Sequence, residues 1–173
     1  MRKLLIPFAI IISLLCINKE ERLVMPKDII RFRVIANSNS YSDQSIKKEV
    51  VRSIKPVLSL NSQSLLESRN TLQQNVPIYQ NIVSNTLKDT IYKDNYTVDY
   101  GLHYFPKKEY KNLIFEEGNY ESLVITIGDG LGKNFWCILF PPLCNIDEDT
   151  IDYEYTSLVQ EIIKKYQNNH KLK

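Results

Sequence analysis

Few residues of this chain combine reactive chemistry with a usable spacing. Of its two histidines, His170 lies in a polar C-terminal tail, which leaves His103 as the imidazole placed for general-base work. Beside a thiol such as Cys137 it would make a cysteine nucleophile site. Cys137, however, sits in the apolar run Phe135–Phe140, and nothing local brings the two together. Two histidines and the close pair Cys137 and Cys144 match no zinc spacing, so no metal site is expected. The segment Gly128-Asp129-Gly130-Leu131-Gly132-Lys133-Asn134 has the look of a phosphate loop. Yet three residues, where four are needed, separate Gly128 from Gly132, and Asn134 follows Lys133 where Ser or Thr belongs. It reads as a glycine-rich hairpin connection between strands, with no helix N-terminus to offer a phosphate.

The acidic stretch Asp147, Glu148, Asp149 and Asp152 lacks the calcium-loop pattern of Gly at the sixth and Glu at the twelfth position. It precedes a helical pattern of Tyr155, Leu158, Ile162 and Tyr166, where negative charge suits the helix dipole. What remains is a set of polar groups at a strand end: Arg31 and Arg33 on one strand face, then Asn37, Ser38 and Asn39 at its exit. Loops in such positions commonly carry recognition, and these five residues are the candidate contact surface, with Trp136 as a candidate aromatic anchor. A solvated edge followed by a capped turn, and a core tryptophan, would account for the same residues.

The elements that must position them follow from periodicity. Residues 29–36 alternate with Ile30, Phe32, Val34 and Ala36 on one face and Arg31 and Arg33 on the other. Ser40 with Asp43 makes a capping box for a helix that carries Ile46, Val50 and Ile54 and stops near Lys55, before Pro56. Ser64 with Glu67 opens a second helical region, which Pro77 divides in two. The period returns to two with Val98, Tyr100, Leu102 and Tyr104 opposed to Asp99, Gly101 and His103. A weaker extended segment covers Tyr110–Phe115. Leu123, Ile125 and Ile127 line the next strand, and Phe135–Phe140, apolar on both faces, reads as a central strand. The expected fold is α+β: one domain with a mostly antiparallel sheet of about four strands, helices from 41 to 92 on one face, and a C-terminal helix.

At the N-terminus, Arg2 and Lys3 precede an apolar run from Leu4 to Ile17, and a polar cluster follows. As a helix this run reaches about 21 Å, short of the ~30 Å hydrocarbon core. Residues 1–23 therefore read as an export signal or a short membrane anchor, and residues 24–173 as the exported domain. Outside the cytoplasm Cys137 and Cys144 either form a disulfide or stay as two buried thiols. Taking Arg2, Lys3, Lys19 and Arg22 from the 22 basic residues, and Glu20 and Glu21 from the 20 acidic ones, leaves 18 of each. A balanced domain lacks the field that draws nucleic acid.

Two segments together resemble the stage II sporulation protein R family of endospore-forming bacteria. One is Ile30-Arg31-Phe32-Arg33-Val34-Ile35-Ala36-Asn37-Ser38-Asn39-Ser40, continuing through Asp43-Gln44 to Lys47. The other is Gly132-Lys133-Asn134-Phe135-Trp136-Cys137-Ile138-Leu139-Phe140-Pro141-Pro142-Leu143-Cys144. Asn39 stands where the family usually has Asp, Tyr41 where Pro is common, and Phe135 where a second tryptophan is common. The resemblance implies a signal exported into the space between the forespore and mother-cell membranes. Its partner there would be a membrane-embedded aspartic protease, which it activates to process pro-sigma-E. It implies no enzyme activity, no cofactor, no small-molecule substrate, and contact with membrane through residues 4–17 alone. The reading from another class is an exported cell-envelope hydrolase using a carboxylate pair, one of them with a pKa raised by burial.

Overall fold

In the computed structural model of the chain, residues 22–58, 64–110, 113–144 and 161 are described. The strands are β1 (Leu23–Val24), β2 (Ile30–Ile35), β3 (Tyr96–Phe105), β4 (Lys108–Tyr110), β5 (Leu113–Phe115), β6 (Gly118–Ile127) and β7 (Asn134–Phe140). Between β2 and β3 come α1 (Tyr41–Ile54), a 3-10 turn (Lys55–Leu58), α2 (Leu65–Gln74) and α3 (Val76–Leu87). The helix starts follow from side-chain chemistry: Ser40 accepts a bond from the Asp43 N–H and Ser64 from the Glu67 N–H. Pro77 sits in the first turn of α3, where its missing N–H costs nothing.

Four strands form one sheet in the order β3-β6-β2-β7. β6 runs antiparallel to β3 and parallel to β2, and β2 runs antiparallel to β7. The fold is thus α+β, with two of the three pairings antiparallel. The alternation of β2 directs Ile30, Phe32 and Val34 into a core with Val50 and Ile54 of α1, Leu72 of α2, and Tyr79, Val83 and Leu87 of α3. Side chains this buried contribute about 2 kcal/mol each, so the helical layer holds this face firmly. A second sheet, β1-β5-β4, lies with the opposite face, where Met25, Ile29, Phe105, Leu113, Phe115, Tyr120 and Leu143 cluster against Trp136 and Ile138.

Two expectations are corrected here. β7 is an edge strand, not a central one. It is apolar on both sides because Cys137 and Leu139 face the helical core while Trp136 and Ile138 face the second cluster. Residues 128–133 are not a hairpin connection either. β6 and β7 flank β2, so this loop crosses over the end of β2. The weaker extended segment is divided between β4 and β5, which pair with each other. Residues 1–21 of the export segment, the acidic stretch at 147–152, the expected C-terminal helix apart from residue 161, and His170 lie outside the described residues. Among the described residues, no helix is long and apolar enough to cross a membrane.

Candidate functional site

The crossing loop decides what Asn37, Ser38 and Asn39 do. Gly132 N–H donates to the Ala36 carbonyl at 2.8 Å and Leu131 N–H to the Asn37 carbonyl at 3.0 Å. Asn37 Oδ1 accepts from the Asp129 N–H at 2.9 Å, and Asn39 Oδ1 from the Lys133 N–H at 2.8 Å. The approach is close enough that a Cβ on Gly132 would run into the Ser38 carbonyl oxygen, and one on Gly128 into the Asn37 side chain. Gly128 and Gly130 also hold φ of 59° and 66°, which side chains resist. These glycines serve a tight chain crossing.

Asp43 anchors the same junction from α1. Its carboxylate accepts from Ser38 Oγ at 2.6 Å, Tyr92 OH at 2.7 Å and Asn37 Nδ2 at 3.1 Å. These donors, Ser38 foremost, stabilise the anion and hold the Asp43 pKa down to about 2. The capping box is therefore one-sided: Ser40 N–H donates to Ser38 Oγ at 3.0 Å, leaving the Asp43 carboxylate to the loop. Gln44 Nε2 donates to the Ser38 carbonyl, and Lys47 Nζ to Gln44 Oε1 and the Lys133 carbonyl. Burial lowers the Lys47 pKa, with Lys48 and Lys133 adding to it.

The arginines lie on the far side of the sheet. Register sets Arg31 between Ser122 and Ile138, and Arg33 between Val124 and Trp136. Arg31, expected at a contact surface, is only 3% exposed. Its guanidinium carbon lies 4.1 Å from the ring centre of Phe105, 4.8 Å from Tyr120, 5.2 Å from Phe115 and 5.5 Å from Trp136. Phe115 of β5 reaches it because the second sheet covers this end of the strand, which β2 itself cannot reveal. Arg33 is half-buried, 4.8 Å from Phe105 and 5.4 Å from Trp136. Its Nη1 donates to the Tyr104 carbonyl at 3.4 Å, its Nε is buried without a partner, and no described carboxylate pairs with it. Desolvation lowers its pKa. Trp136 packs edge-on to Phe105 at 5.1 Å and is also half-buried.

His103 and Cys137 are not brought together. They lie on opposite edge strands, and Cys137 is joined to Cys144 in a disulfide with a Cα–Cα distance of 5.2 Å. His103 instead joins a chain that the sequence pattern did not single out. Its Nδ1 lies 2.8 Å from Ser122 Oγ and its Nε2 2.8 Å from Asp99 Oδ2. The available signal was the alternation Asp99-Gly101-His103, which puts two polar groups on one face with no side chain between them. The residue types match a hydrolytic triad, but Ser122 is fully buried and its hydroxyl also donates to the Tyr120 carbonyl. A substrate cannot reach it. Glu121 accepts from Arg69 at 2.7 and 2.8 Å and from Tyr100 OH at 2.7 Å. Arg69 foremost lowers its pKa. Both described carboxyls with a resolved shift, Asp43 and Glu121, move down, opposite to what a general acid requires. No described group of His, Cys, Asp and Glu could hold a metal.

Fold and site define a disulfide-closed α+β domain with a self-satisfied polar junction on one side of β2 and an arginine–aromatic face on the other. The chain belongs to the stage II sporulation protein R family, whose family model matches residues 26–150. It is 33% identical over 138 residues to stage II sporulation protein R of Bacillus subtilis (strain 168). The match takes in 75% of this chain and 59% of that relative, so the chain spans less than two thirds of the relative's length. No solved structure matches it. Membership gives the chain a role in sporulation.

Proposed function

We propose that this chain is an exported sporulation signal which binds the extracytoplasmic part of a membrane-embedded aspartic protease and activates it to process pro-sigma-E. It acts in the space between the forespore and mother-cell membranes, with residues 4–17 as signal or anchor, and it catalyses no reaction itself. Activation is a population shift: the signal binds the active state of the protease better than the inactive one.

The observation that carries the reading is Arg33. A half-buried cation held on aromatic faces, its Nη1 bonded to a carbonyl at 3.4 Å and no described carboxylate paired with it, is suited to an acidic group brought by a partner. Trp136 supplies the adjacent aromatic contact, with Arg31 beneath as support. Asn37, Ser38 and Asn39 enter this proposal as the residues that fix the exit of β2.

The test is co-expression of the chain, the protease and pro-sigma-E in a non-sporulating host. Cleavage is expected with the native chain and at least tenfold less of it with Arg33→Ala or Trp136→Ala at unchanged levels of exported protein. Normal cleavage with both variants overturns the contact surface, and no cleavage with the native chain overturns the function.

A further inference from the structure

The mixed sheet has two edges, and they are finished differently. Beyond β7 the chain turns back: Leu143 N–H donates to the Ile138 carbonyl at 3.2 Å, and Cys144 is bonded to Cys137. That edge carries its own cover. β3 is ten residues long and, among the described residues, pairs with β6 alone. It contains neither proline nor lysine, the residues that usually keep a foreign strand off an edge. Leu102 and Tyr104 on it are 75% and 57% exposed.

The strand is also complementary to itself. In an antiparallel pair of two copies centred on Gly101, Asp99 faces the second copy's His103, Tyr100 faces its Leu102, and Val98 faces its Tyr104. Directly opposed residues of an antiparallel pair point to the same side, so the helices of both copies stay on one face of a continuous sheet. Gly101 fits the axis. The Asp99 carboxylate and His103 imidazole bridge over it at 2.8 Å, and a Cβ there would stand 3.8 Å from Asp99 Oδ2 and 4.0 Å from His103 Cε1. Two-fold pairing sets two such bridges side by side, with carboxylate and imidazole alternating around the axis. Sliding one copy by two residues, the smallest shift that keeps the faces aligned, sets Asp99 or His103 against Gly101 and dissolves the Asp99–His103 pairs between copies.

We infer that the edge of β3 is occupied by a second copy of this chain, in an isologous dimer about Gly101. Arg33 meets β3 at the Tyr104 carbonyl and the Phe105 ring, but the test reads dimerisation with no protease present, so its failure is distinguishable from a failure of protease activation.

The exported full-length chain carrying Gly101→Cys is run on a non-reducing gel. The neighbours of a Cβ at this position are at ordinary van der Waals distance, so the variant keeps its fold. A disulfide-linked dimer is expected, and none from Thr97→Cys, which would face Phe105. In sedimentation, the native chain is expected to dimerise with rising concentration, Asp99→Lys to weaken this at least tenfold, and Asp99→Lys with His103→Asp to restore it. A native chain that stays monomeric, equal cross-linking from both cysteine variants, or a dimer indifferent to Asp99→Lys overturns the proposal.

Discussion

At the end of β2, the side chains of Asn37, Ser38 and Asn39 all find partners within 3.1 Å. On the opposite face of the same strand, Arg33 finds one carbonyl at 3.4 Å and two aromatic rings. The first region is closed on itself. Each of these side chains is answered by a loop or helix of the same chain, so their contribution is to stability. The second region answers its charge with that one long bond and with ring faces, each worth roughly 0.5 kcal/mol, and no described carboxylate pairs with it. Polar residues that look alike along one strand therefore divide into those that build the domain and those left for recognition.

Substitutions can break or sharpen that contrast. The largest loss of stability is expected from Gly132→Ala, since the new methyl meets the Ser38 carbonyl oxygen and backbone must move. It is expected to cost on the order of 3 kcal/mol, read as a fall in the urea midpoint. A midpoint within error of the native one would mean that the crossing is loose.

Next come the junction's polar groups. Asn37→Ala removes the acceptor of the Asp129 N–H and a donor to Asp43, for an expected loss of about 2 kcal/mol. Asp43→Asn has a pH signature. The folded Asp43 pKa, about 2, lies below the ordinary 3.8, so its stabilisation is complete above about pH 4 and drains away as pH falls toward 2. Asp43→Asn is expected to be less stable at neutral pH and to lose less than the native chain across that window. Glu121, also lowered, adds acid sensitivity of its own in both proteins. Parallel acid curves for the two proteins would remove Asp43 from the centre of the junction.

The smallest stability effect is expected from Arg33→Ala, under about 1 kcal/mol. That same variant is expected to lose protease activation. A large stability loss from Arg33→Ala would dissolve the distinction between the two regions.

Much of the fold was legible because it is written in local chemistry. Ser40 and Ser64 could be read as caps, and Pro77 as a divider, from neighbours three residues away or fewer. The two-residue period of 29–36 separated Arg31 and Arg33 from Phe32 and Val34, and the structure keeps that separation. Less could be read where partners are distant. The apolar faces of β7 suggest a central strand, yet a second sheet can bury an edge strand equally well. The glycines at 128–132 suggest a turn, but whether a turn joins neighbouring strands or steps over a third depends on strand order. Arg31 could not be told from Arg33, because both share a period and only β5 reaches one of them. The Asp99–His103–Ser122 chain needed β3 and β6 in register before it could exist.

The amino-acid sequence by itself determined the element types, the caps, the two faces of β2 and the family, since each rests on residue identity at short range. Only the tertiary structure decided which polar residues are satisfied. Satisfaction depends on what crosses the strand end, which pairing order and register settle, and so Asn37 became part of a junction while Arg33 kept a face without a described carboxylate.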